Sequence, residues 1–174
     1  MKRWLGAGDF TTMPWANGKG ETVELARCDR GGAMLWRLSR ARVIEDGPFS
    51  IFAGVDRVLT VLNGPGFDLE GEGVALRARP YGPVRFSGDV AVRALRVTAP
   101  SDDFNVMVAR AQGRAEVRVL GGAEVFAPGG LWAVYWPERA VLLLSDEGYG
   151  FAGDGPAIAV NLPGPEEFSD ENSS

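Results

Sequence analysis

Along most of the chain, apolar and polar residues alternate in short runs that glycine and proline interrupt. A period of two marks strands with one face turned to a core, and it predicts strands over 22–27, 34–43, 58–62, 74–78, 90–98, 104–110, 115–120, 131–136, 140–145 and 157–161. The segments between carry turn chemistry: Asp46-Gly47-Pro48, Asn63-Gly64-Pro65-Gly66, Pro80-Tyr81-Gly82-Pro83 and Pro128-Gly129-Gly130. With 24 glycines and 11 prolines in 174 residues, breakers recur too often for long helices, so the pattern predicts an all-β sandwich or barrel. A change of composition at Ala99-Pro100-Ser101-Asp102-Asp103 suggests two fused barrel halves, 1–100 and a smaller 101–163. The remainder, 164–174, is rich in Glu, Asp, Ser and Asn, and is expected to form a disordered tail because it offers too little apolar surface to offset the entropy of ordering.

Some strands carry polar residues on faces that are otherwise small or apolar. In 35–43, Arg37, Ser39, Ala41 and Val43 share one face, and Trp36, Leu38, Arg40 and Arg42 the other. The first face suits a barrel interior that holds a small polar ligand, although an exposed strand with only Trp36 in the core satisfies the same pattern. The loop 46–57 fixes Ser50 between glycines and a proline and delivers Arg57 to the head of a strand, on one face with Leu59 and Val61. There Arg57 either forms a rim ion pair, with Asp56 for example, or closes a carboxylate pocket. Further on, Phe104, Val106 and Val108 turn towards a core while Asn105 and Met107 turn away, which makes Asn105 a natural pocket wall. Asp102 and Asp103 read as loop carboxylates.

The loop Pro14-Trp15-Ala16-Asn17-Gly18-Lys19-Gly20 adds candidate chemistry ahead of the first predicted strand. Its glycines permit close backbone approach, Asn17 and Lys19 offer donors, and the strand after it fixes where Thr22 and Glu24 point. It is not a phosphate loop, because the Gly-x-x-x-x-Gly-Lys-Ser/Thr spacing is missing.

Composition removes several chemistries. The chain has no histidine and one cysteine, so it has no Ser-His or Cys-His nucleophile pair, no histidine-built metal site and no intrachain disulfide; Cys28 reads as an inert structural thiol. A net charge of −5 and singly scattered basic residues argue against nucleic acid as a partner. The N-terminal residues lack the apolar run of a secretory signal and no apolar stretch could span a bilayer, so a membrane is not expected and the cytoplasm is the expected location; no dinucleotide fingerprint opens a helix, and no cofactor is expected.

Taken in order and spacing, Pro14-Trp15-Ala16-Asn17-Gly18-Lys19-Gly20, Trp36-Arg37-Leu38-Ser39, Gly47-Pro48-Phe49-Ser50, Asp56-Arg57 and Asp103-Phe104-Asn105-Val106-Met107 resemble the HutD/Ves family over roughly residues 4–162. The resemblance implies a cupin-type (RmlC-like) jelly-roll β-barrel with two barrel halves. It also implies a metal-free pocket for N-formylglutamate or a related small acidic metabolite, and a role in regulating histidine catabolism. Asn17, Glu24, Arg37, Ser39, Ser50, Arg57 and Asn105 are the expected ligand-binding residues. No metal is expected, and a homodimer is compatible with the chain. Ala16 and Lys19 depart from the family's usual Pro-Trp-Lys-Asn-Gly-Gly-Gly loop, as does Ala53 from its usual proline.

Two rival functions fit parts of the sequence. One is a metal-free isomerase, lyase or hydrolase acting on a small acidic metabolite, with Glu24 or an aspartate as base. The other is an interaction module that exposes Trp132, Tyr135 and Trp136, although Trp132, Val134 and Trp136 share a face and fit a sandwich core better.

Overall fold

A computed structural model describes residues 1–163; the tail expected over 164–174 lies outside the described residues. Numbered in chain order, the strands are β1 (Lys2–Leu5), β2 (Thr11–Pro14), β3 (Glu21–Arg30), β4 (Ala33–Val43), β5 (Gly47–Pro48), β6 (Val55–Asn63), β7 (Phe67–Gly71), β8 (Val74–Ala78), β9 (Val84–Ser87), β10 (Arg93–Leu95), β11 (Ser101–Ala109), β12 (Glu116–Leu120), β13 (Glu124–Phe126), β14 (Leu131–Trp136), β15 (Val141–Ser145), β16 (Tyr149–Phe151) and β17 (Ala157–Leu162). Two single-turn 3-10 helices, Ala7–Asp9 and Arg110–Gln112, are the helical elements among the described residues.

The strands form four stacked layers. A central six-stranded sheet, in the order β2-β3-β4-β11-β6-β9, packs one face on the five-stranded sheet β1-β15-β14-β17-β12 through Trp36, Leu38, Val58, Phe104, Val106, Tyr135, Leu142, Ile158 and Val160. Its other face meets the four-stranded sheet β5-β10-β7-β8 through Val43, Leu59, Val61, Phe67, Leu69 and Ala94. The pair β13-β16 covers the outer face of the five-stranded sheet through Leu120, Phe126, Val134, Trp136 and Phe151. The alternation in β4, β11 and β14 therefore sends successive side chains to different layers, as a period of two requires. All the paired strands are antiparallel, and every sheet keeps edge strands, so the layers face one another as sandwiches and do not close into the continuous barrels expected above.

Chain order and sheet order differ at two places. β11 follows the compositional seam yet lies between β4 and β6, and β1, from the start of the chain, pairs with β15. The expected strand over 90–98 is reduced to β10, because its neighbour β5 offers only Gly47 and Pro48, and Arg96 adopts a positive φ of 57°. The aromatic run in β14 is core: Tyr135 and Trp136 are buried and Trp132 is half-buried against Phe126, which removes the exposed aromatic patch that an interaction module needs. Cys28 is half-buried against the central core, and burial pushes its thiol up, which suits a structural role. No helix among the described residues is long and apolar enough to cross a membrane.

Candidate functional site

The face of the central sheet that carries Leu59 and Val61 also carries polar side chains, and there the four-stranded sheet does not cover it. In register across the sheet, Glu24, Ser39, Asn105 and Leu59 form one row, Ala41, Asp103 and Val61 the next, and Arg37, Met107 and Arg57 the row on the other side. Residues two apart on one strand share a face, so β4 contributes Arg37, Ser39, Ala41 and Val43, and β11 contributes Asp103, Asn105 and Met107. Together they floor a cavity of about 400 Å³. Its walls come from two loops, one carrying Trp15, Ala16 and Asn17, the other Pro48, Phe49, Ser50 and Phe52.

Both loops are pinned by hydrogen bonds of backbone and side chains. The indole Nε1 of Trp15 donates to Thr22 Oγ1 at 2.9 Å, and the Trp15 amide donates to the Gly20 carbonyl at 2.9 Å. A Cβ on Gly20 would lie 2.9 Å from two Trp15 ring carbons and 3.1 Å from the Arg42 carbonyl, so no larger residue fits beneath the indole. Gly20→Ala is therefore expected to displace Trp15 and weaken ligand binding several-fold with little loss of stability. Paired calorimetric and thermal-denaturation measurements test this, and unchanged affinity would show that Trp15 does not shape the site. The second loop is held at Gly88, whose amide donates to the Val55 carbonyl at 2.7 Å while its carbonyl accepts from Phe52 at 2.8 Å. Asp89, drawn down to about 2 by the Gly54 amide, Arg110 and Ser87, fastens the same turn.

At the floor, Arg57 is 5% exposed. Its Nη2 donates to Asn105 Oδ1 at 3.0 Å and its Nη1 to the Ser50 carbonyl at 3.4 Å, while its Nε is buried without a hydrogen-bond partner. The guanidinium lies 5.0 to 5.4 Å from the ring centres of Phe86, Phe49 and Phe52. Among the described residues, no carboxylate forms an ion pair with it. Desolvation pulls its pKa down to about 10, so it remains a cation at neutral pH, held mainly by neutral dipoles and aromatic faces. Arg57 does not pair with Asp56, because neighbours in a strand point to opposite faces; Asp56 pairs with Arg110 at 3.0 Å instead.

Asp103 joins the cavity although it is not among the expected ligand residues. It is not a loop carboxylate: it lies in β11, lines the cavity and is fully buried. Asn105 Nδ2 donates to its Oδ1, and its Oδ2 has no partner. Burial pushes its pKa up to about 7, against the opposing pull of Arg57. Asp102 likewise lies in β11, but faces the other way and accepts from Arg40 and Arg42 at 2.8 Å, which together with Asn63 brings it down to about 2.

Of the expected ligand residues, the cavity brings together Arg37, Ser39, Arg57 and Asn105 on its floor and Asn17 and Ser50 at its mouth. Asn17 uses its Oδ1 to accept the Lys19 amide at 2.9 Å, an Asx turn that shapes the loop. Glu24 is not among the lining residues. Its Oε2 lies 2.7 Å from Arg37 Nε, close enough to neutralise that guanidinium although the N–H is not aligned on the oxygen as a hydrogen bond. Lys19 points away to Glu45, at 2.6 Å. Besides Asp103, the cavity recruits Trp15, Thr22, Phe49, Phe52 and Met107. No group of three or more Cys, Asp or Glu among the described residues is placed to hold a metal ion.

The family model for HutD matches residues 7–164. The chain belongs to the HutD family. It is 34% identical to protein Ves of Citrobacter koseri over 155 residues, covering 80% of this chain and 79% of that protein. It is also 38% identical to an uncharacterised 21.2 kDa protein in the hutC 3' region of Pseudomonas putida, over 68% of this chain and 64% of that protein, so the match spans less than two thirds of this relative. Among solved structures, HutD from Pseudomonas fluorescens SBW25 (formate condition) is 28% identical with a TM-score of 0.82, covering 93% of this chain and 98% of that one. A conserved protein of unknown function from Pseudomonas aeruginosa PAO1 is 30% identical with a TM-score of 0.77, covering 94% and 100%. The fold is the all-β, cupin-type jelly roll of this HutD-family group.

Proposed function

We propose that this HutD-family protein binds a small acidic metabolite in the cavity, N-formylglutamate or a close relative, and through that binding regulates histidine catabolism. The observation that carries the reading is Arg57: a guanidinium buried on a cavity floor, still charged at neutral pH, with Nε unpartnered and no carboxylate paired with it. Leaving a buried cation in that state costs on the order of 3 kcal/mol, taken from the lowering of its pKa, and a ligand carboxylate recovers part of that cost by supplying the missing charge and hydrogen bond. Ser39 and Asn105 add neutral polar groups beside it, and Phe49, Phe52 and Met107 give an apolar wall for a short carbon chain. The cavity of about 400 Å³ is of the size that takes a small metabolite. The position of a P. putida relative in the hutC 3' region and the formate condition of the P. fluorescens HutD structure support the histidine-catabolic and carboxylate parts of the reading.

The enzymatic alternative with Glu24 as base loses its support, since Glu24 sits outside the cavity lining and against Arg37. A thermal-shift panel of N-formylglutamate, formate, glutamate, urocanate and succinate tests the proposal. An acid present at a hundred times its dissociation constant stabilises the fold by about 2.7 kcal/mol, which reads as a shift of several degrees. A panel in which no acid moves the transition would refute it.

A further inference from the structure

The acid-binding reading uses Arg57 and leaves unexplained the other buried ionisable group on the same floor. Asp103 lines the cavity with one oxygen held by Asn105 and the other unpartnered. Asn105 in turn receives Arg57, so the three side chains form a line from guanidinium through amide to carboxyl, with Arg57 Nε and Asp103 Oδ2 as its two free ends. A ligand carboxylate placed at Arg57 would meet Asp103 as a second negative charge if Asp103 were ionised, and as a hydrogen-bond donor if it were the neutral acid. We propose that Asp103 is the proton-bearing anchor of this cavity: it holds an acidic ligand as the neutral acid, donating from Oδ2 to a carboxylate or carbonyl oxygen, so that capture of the acid by a molecule in which Asp103 is ionised brings a proton with it. The proposal rests on the acid-binding reading and names the class of ligand more closely, as one that offers an oxyanion to Arg57 and a second acceptor oxygen to Asp103.

The surroundings of Asp103 support the neutral form once an anion is bound. Directly across the strands lie Ala41 on β4 and Val61 on β6, neither charged. The four-stranded sheet presents Phe67, Leu69 and Ala94 to this side, and the loop over the cavity presents Pro48, Phe49, Ser50 and Phe52. On its own strand, Asp102 adds like-charge repulsion, though it is held on the other face by Arg40 and Arg42. From β3 and β4, Glu24 and Arg37 offset each other, and at the rim Lys19 pairs with Glu45. Arg57 is thus the principal charge that favours ionised Asp103, and a bound oxyanion occupies it. The only bond made is O–H at Asp103, with the proton drawn from water and buffer.

With the free carboxyl near 7, about nine-tenths of the unliganded protein is in the binding form at pH 6 and about one-tenth at pH 8. Calorimetry with N-formyl-L-glutamate on the wild-type protein is therefore expected to show affinity falling about tenfold from pH 6 to pH 8. At pH 7 the observed enthalpy should differ between HEPES and imidazole buffers by the amount that about half a proton taken up per ligand requires. Tight binding with flat affinity and the same enthalpy in both buffers would overturn the proposal while leaving the acid-binding reading intact. Absence of binding by any acid of the panel would overturn both. Assignment of the proton comes from the Asp103 carboxyl carbon followed by NMR in wild type, whose titration should move upward on saturation with the probe; an unmoved titration overturns it. In Asp103→Asn, whatever its affinity, binding should no longer vary between pH 6 and pH 8, and an unchanged pH dependence there would place the proton elsewhere.

Discussion

Arg57→Ala is expected to reduce affinity for N-formylglutamate by about ten- to a hundredfold while the protein remains folded. A hydrogen bond to a charged partner contributes about 1.5–3 kcal/mol, which is the source of that range. Loss of binding without loss of fold follows from the state of the guanidinium before ligand arrives. It has no ion pair to lose, and its partners are Asn105 Oδ1, the Ser50 carbonyl and three phenylalanine faces. Removing a desolvated charge offsets part of the packing lost with the side chain. Arg57→Met refines the experiment, because it keeps an apolar stem among Phe49, Phe52 and Phe86 and removes only the charge. Arg57→Lys should recover a fraction of the affinity, since an ammonium supplies charge without the planar fork that binds a carboxylate at two points. Unchanged affinity in Arg57→Met, measured by calorimetry, would remove Arg57 from the site.

Asp103→Asn is expected to stabilise the unliganded protein at pH 8 by on the order of a few kcal/mol and to change little at pH 4. The free carboxyl titrates near 7 in the fold against 3.8 for an ordinary aspartate, so between those values the folded state binds more protons than the unfolded chain. Wild-type stability therefore falls as pH rises from about 4 to about 7 on account of this group, and above 7 the full penalty of a buried, incompletely paired carboxylate is in place. The asparagine has nearly the same shape, can still accept from Asn105, and carries no charge at any pH. Asp102, held low by Arg40, Arg42 and Asn63, acts in the opposite sense: its contribution is present above about 4 and is lost as pH falls towards 2. Urea denaturation of both proteins at pH 4, 6 and 8 separates the two effects. A variant less stable than wild type at pH 8 would mean that the fold favours the ionised carboxyl through Arg57, with the Asp103 pKa drawn below the ordinary aspartate value and not above it.

Much of this is legible in the two-residue period of the sequence alone. It separated Arg37, Ser39, Ala41 and Val43 from Trp36 and Leu38, and Asn105 and Met107 from Phe104, Val106 and Val108; the first group of each strand lines the cavity and the second enters the core. The same rule, carried two residues further back along β11, puts Asp103 on the cavity face beside Asn105. It was obscured because an Asp-Asp pair after Pro100-Ser101 has the look of a turn, and only burial between two neighbouring strands makes a strand of it. The pairing of Glu24 with Arg37 rests on cross-strand register, which a bulge between Glu24 and Ala26 sets and local sequence does not express. In β7 the buried Phe67 and Leu69 alternate with half-buried acids directly after the turn glycines Gly64 and Gly66, which hid the strand, and the phenylalanine cage around Arg57 is drawn from loop and strand segments far apart in the chain.

A crystal structure of the protein soaked with N-formyl-L-glutamate tests the central claim most directly. It should show the acid inside the cavity with a carboxylate oxygen about 3 Å from the Arg57 guanidinium, whose Nε has no hydrogen-bond partner within the protein. An acid bound elsewhere, or a cavity that stays vacant at concentrations that shift the melting transition, would contradict it.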